Sequence, residues 1–129
     1  MYDIALKLCG LAALGLLAVG ALALISPQRL SRSYGVEVTD ATSIVWVRAT
    51  GARDILLGIL LAVAAFLDDT PELLVLCAAG LALSLIDFLL AMTFARRLRS
   101  EHGAHIGGAI AFLVIIVLFM QSSNGALRP

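Results

Sequence analysis

An arginine and an aspartate stand side by side, Arg53 and Asp54, in a segment of mostly small and apolar residues running from Val47 to Ile59. A second aspartate, Asp87, interrupts the otherwise uncharged run from Leu73 to Ala95. One guanidinium beside two carboxylates has the parts for acid–base chemistry: one carboxylate stays paired with the cation while the other exchanges a proton with a substrate. Arg53, Asp54 and Asp87 are therefore the catalytic candidates. Ser84, one helical turn before Asp87, and Arg48, Tyr34 and His105 are candidate binding residues. Opening of an epoxide, isomerisation or cyclisation of a small non-redox molecule are reactions such a trio supports, and the sequence selects none of them. No metal is expected, because the two histidines and two cysteines have no ligand spacing. No cofactor is expected either.

The elements that must position these groups are apolar helices. After the Arg-Asp pair the uncharged run covers residues 55–67, 13 positions or about 20 Å of helix. A hydrocarbon core of about 30 Å needs roughly 20 residues. The acidic pair Asp68 and Asp69 fixes one end at the surface, so the span reaches back to about Arg48. Arg53 and Asp54 then lie roughly 8 Å inside the apolar slab, where ionisable groups persist mainly when paired or lining a functional cavity. Counting away from a turn near residue 70 brings Asp87 to the same depth. Arg53 is therefore expected to pair with Asp87 or Asp54.

Composition agrees. The 129 residues are 61% hydrophobic and 14% charged, with a mean hydropathy of +1.03, whereas soluble domains carry roughly 25% charge. The formal net charge is zero and no long basic run occurs, which argues against a nucleic-acid partner. The reading is one all-α domain over residues 1–129, a four-helix membrane bundle with helices at about 4–25, 43–67, 71–95 and 103–120.

The first helix is studded with Gly10, Gly15 and Gly20, residues that let membrane helices approach closely. Its apolar run exceeds that of a signal peptide, and only Lys7 precedes it as a basic residue. Pro27 ends it, and a polar loop from Gln28 to Asp40 follows, with Thr39, Asp40, Thr42 and Ser43 all eligible to cap the next helix. Trp46 falls where an interfacial aromatic belt would lie. Pro71 suits the first turn of the third helix. The tail from Gln121 reads as frayed. Cys9 and Cys77 fall in one leaflet, close enough in depth for a bridge, and read as small buried apolar residues.

Seven of the nine basic residues (Arg29, Arg32, Arg48, Arg53, Arg96, Arg97 and Arg99) lie in or beside the first and third connections. The second connection has none, but carries Asp68, Asp69 and Glu72. The positive-inside rule then puts the first and third connections in the cytoplasm and both termini outside, in what is expected to be a bacterial inner membrane. Asp87 shares a helical face with Ser84, Gly80 and Cys77, and Asp54 with Gly51, Gly58, Ala62 and Ala65. His105 starts the fourth helix on the cytoplasmic side, and Tyr34 is placed to fold over an opening there.

The pieces Ser26-Pro27, Tyr34-Gly35-Val36, Gly51 to Asp54 with Gly58, then Asp87 and His105, form a pattern. It resembles the family known as domain of unknown function 4267, small four-helix membrane proteins, over nearly the whole chain. More distantly it is similar to DoxX-like membrane proteins. The resemblance implies the four-helix fold and supports Arg53, Asp54, Asp87 and His105 as polar positions; it implies no activity.

Three roles stay open for the trio: a buried pair that fixes helix register, a pocket for a membrane lipid or small lipophilic ligand, or a site completed by a partner. A non-enzymatic accessory subunit of a larger membrane complex is the competing function, and a homo-oligomer is compatible with either. Transport is disfavoured, since four helices without an evident repeat offer no alternating-access machinery.

Overall fold

Helices α1 (Tyr2–Ile25), α2 (Pro27–Ser31), α3 (Ala41–Leu67), α4 (Thr70–Ala95) and α5 (Gly103–Ala126) account for nearly all of the computed structural model. It describes residues 1–31, 38, 40–95 and 103–126. Among the described residues four segments are long and apolar enough to cross a membrane: Tyr2–Ile25, Ala41–Leu67, Thr70–Thr93 and Gly103–Ser122. Large apolar side chains such as Phe66, Ile25, Val75 and Leu11 point outward. A bundle with an apolar exterior of this extent is one dissolved in lipid. The protein is an all-α, four-span integral membrane protein.

Local chemistry sets the helix ends. Pro27 does more than stop α1: it opens α2 at the first helical position, where a missing N–H is tolerated. The expected loop after Pro27 therefore begins with a short helix, closed by the Ser31 hydroxyl donating to the Gln28 carbonyl at 3.0 Å. Of the four eligible caps, Asp40 is the one used. Its backbone is extended, and its carboxylate accepts from the Ser43 backbone N–H at 2.7 Å and from the Ser43 hydroxyl at 3.0 Å. At the far end of α3, Asp68 adopts a left-handed φ of 59°. Asp69 then accepts from the Glu72 N–H at 3.1 Å, with Pro71 in the first turn of α4 as expected. The Tyr2 hydroxyl donates to Asp68 at 2.6 Å and tethers the start of α1 to this turn. At its other terminus the bundle exceeds the sequence estimate, because α5 continues to Ala126 where fraying was expected from residue 121.

The long helices close a ring in the order α1, α3, α4, α5, with the α1–α3 and α4–α5 interfaces the most extensive. Glycine makes the first of these possible. A Cβ on Gly20 would stand 2.6 Å from the Gly51 carbonyl oxygen, and one on Gly51 would stand 2.8 Å from the Gly20 oxygen. The two backbones thus cross in direct contact. Gly10 and Gly15 do not share this role, since a Cβ at either would meet nothing within 4 Å.

The apolar core fills the half of the bundle near the α3–α4 turn, around Leu61, Leu73, Ile115 and Phe119. Cys9 and Cys77 lie within it, fully buried, their Sγ atoms 3.9 Å apart across the diagonal from α1 to α4. The Asp54 face of α3 runs through buried Gly51, Gly58, Leu61 and Ala64. Ala62 and Ala65, which the spacing assigned to that face, are only partly buried at its edge.

Candidate functional site

In the other half of the bundle the core gives way to a polar cluster and a cavity. Arg53 reaches from α3 to α4 and forks onto Asp87: Nη1 donates to Oδ1 at 3.1 Å and Nη2 to Oδ2 at 2.6 Å. Nη2 also donates to Asp54 Oδ1 at 3.1 Å. The equal-depth count from the α3–α4 turn is what brings these three groups together. A two-pronged guanidinium–carboxylate contact fixes orientation as well as distance.

Burial is uneven across the trio. Asp54 is 9% exposed, whereas the Arg53 side chain keeps 33% of its surface accessible. Arg53 Nε is buried and, among the described residues, has no hydrogen-bond partner.

The accessible part of the trio belongs to a cavity of about 240 Å³, to which all four long helices contribute. Arg53, Asp54 and Asp87 form its polar side, joined by Ser84 from α4 and His105 from the first turns of α5. Ala12, Gly15 and Val19 of α1 supply an apolar wall, and Phe112 stands between cavity and core. Two close approaches shape the α4–α5 side. The Phe112 ring lies where a Cβ on Gly80 would be, 2.5 Å from its nearest atom, and Gly108 leaves room for the Ser84 hydroxyl.

Five of the seven site candidates thus line one cavity. Arg48 does not: its side chain is exposed on α3 and is absent from the lining. Five residues before Arg53 it points in a different direction round the helix, the geometric reason that proximity in sequence misleads here. Tyr34 lies outside the described residues. The α1 wall was not foreseen, because Gly15 reads in sequence as a packing glycine and only the assembled bundle shows that it borders open space. Among the described residues no group of histidine, cysteine and carboxylate side chains is placed to hold a metal.

The family model described as "Domain of unknown function (DUF4267)" matches residues 13–119. The chain belongs to this family. The match takes in every residue of the polar cluster, so in this DUF4267 protein the site lies within the family's own segment. No curated protein matches the chain, and no solved structure does. The distant likeness to DoxX-like proteins finds no support in these comparisons.

Proposed function

We propose that the cavity binds a small lipophilic molecule drawn from the bilayer and presents it to Asp54 and Asp87 for acid–base chemistry. The observation that carries this reading is the Arg53–Asp87 fork standing open to a cavity instead of sealed in the core. Charged groups inside a membrane are costly, and pairing that serves register alone gains nothing from an adjoining void. In this reading Arg53 orients Asp87 through both prongs, Asp54 exchanges the proton, and Ser84 and His105 contact the polar part of the ligand. The wall of Ala12, Gly15 and Val19 accepts its apolar part. We place the cavity in the cytoplasmic leaflet of a bacterial inner membrane with both termini outside, on the basic residues of the flanking connections.

Apolar replacement at both ends of the pair separates this from a structural pair or a non-enzymatic accessory subunit. Arg53→Met is expected to cost about 3–5 kcal/mol, since it takes the cation from both carboxylates; Asp87→Leu costs less, because Arg53 keeps Asp54, and the double variant recovers only the part of the loss that belongs to Asp87. Membrane lipid extract should raise the melting temperature of the parent and leave that of the folded double variant unchanged. An equal response of parent and double variant would assign the pair a structural role.

A further inference from the structure

Resting on the reading above, we infer that the ligand is a single-chain lipid with a hydroxyl or amine head, held with its head beside Arg53, Asp54 and Asp87 and its chain in the seam between α1 and α5. A second hollow of about 240 Å³ lies along this seam, walled by Leu8, Leu11, Val114 and Ile115. It shares Ala12 and Ala111 with the polar cavity, so the two spaces are neighbours along α1 and α5. The α1–α5 interface is far less extensive than α1–α3 or α4–α5. Leu11 is 66% exposed and Val114 45% exposed, which opens the seam to the acyl phase. Along α1 the two spaces together run from Leu8 to Val19, about 16 Å at 1.5 Å per residue. That outline is long, narrow, apolar at one end and polar at the other, the form of a single chain with a small head.

Charge selects the head. The trio sets one cation against two carboxylates, so a phosphate or carboxylate head would bring a third negative charge into a partly buried site. A hydroxyl or amine instead donates to the carboxylates already there. The occupant is therefore a long-chain alcohol or alkylamine dissolved in the membrane, and it enters sideways from the lipid.

Photo-cross-linking of the full chain in phosphatidylcholine nanodiscs tests both halves. Dodecanol with a diazirine at its far end should label Leu8, Leu11, Val114 or Ile115, and dodecanol with the diazirine beside the hydroxyl should label residues from Ala104 to Gly108. Unlabelled dodecanol and dodecylamine should compete at least about tenfold better than dodecanoate, because like-charge contact costs more than that ratio. Ala111→Phe, at an exposed position, should plug the passage and abolish head-end labelling with the fold intact by melting. Gly15→Leu, directed into open space, should do the same from the cavity side. Labelling spread evenly over the outer surface, or dodecanoate competing as well as dodecanol, would overturn the inference. If the lipid extract still stabilises the parent under that outcome, only the ligand class fails. Loss of both responses would remove the cavity reading as well.

Discussion

Asp40 shows how much a single side chain does at the edge of a membrane helix. The Ser43 backbone N–H, and then the Ser43 hydroxyl, hold its carboxyl below the ordinary value of 3.8. A carboxyl whose folded value is depressed contributes stability above its unfolded value and loses it as pH falls through the folded value. Asn is a comparable cap without a titrating proton. Asp40→Asn should therefore match the parent at neutral pH and lose less stability on acidification, the two melting curves separating only below pH 3.8. Separation at pH 6 would show that Asp40 acts through something other than its cap. Arg53 is the opposite case, because its worth depends on two partners from two helices and no local pattern replaces them.

Between helices, backbone contact and not side-chain volume decides the strength of packing. Without water to drive association, membrane helices rely on close van der Waals contact, which small residues permit. Gly20 and Gly51 bring α1 and α3 together so closely that a methyl on either would overlap the other's carbonyl oxygen. Gly51→Ala is expected to cost about 1–3 kcal/mol, the range for overpacking a tight contact. Gly10→Ala, where a Cβ meets nothing within 4 Å, should shift stability by about 0.5 kcal/mol or less. Unfolding of both variants in mixed micelles checks the contrast. Equal gains in both variants would mean that helix propensity, which favours Ala over Gly, and not the crossing, governs these positions. The same logic explains the seam: α1 presents Leu8, Leu11 and Ala12 to α5 without a glycine crossing, and a hollow remains.

Across the whole molecule, core and cavity divide the bundle. The half near the α3–α4 turn is filled by Leu61, Leu73, Cys77 and Phe119, and the half near α2 holds the charged cluster. This polarity gives the proposed orientation a direct test. In a background lacking Cys9 and Cys77, a cysteine at Asp69 should react in intact cells with a thiol reagent that cannot cross the membrane. A cysteine at exposed Gln28 should react only after the cells are opened. The reverse pattern would invert the topology and put the cavity in the outer leaflet.

Four helices, their approximate ends and the common depth of Arg53, Asp54 and Asp87 follow from the sequence alone. Hydropathy, charge at the turns and a rise of 1.5 Å per residue act along one chain and need no partner. That Arg53 pairs with Asp87 or Asp54 was legible for the same reason, since a hairpin with a short turn sets its own register; that it holds both at once was not. What lies around that pair was not legible. Whether Arg48 joins it, which of Gly10, Gly15 and Gly20 touches another helix, and whether space is left beside Ser84 and His105 depend on how four helices rotate about their axes. Their apolar faces are nearly alike all round, so hydrophobic periodicity carries little rotational information. The contacts of Gly20 with Gly51 and of Gly80 with Phe112 settle it. Only the packed bundle therefore distinguishes a buried ion pair from an ion pair beside a cavity.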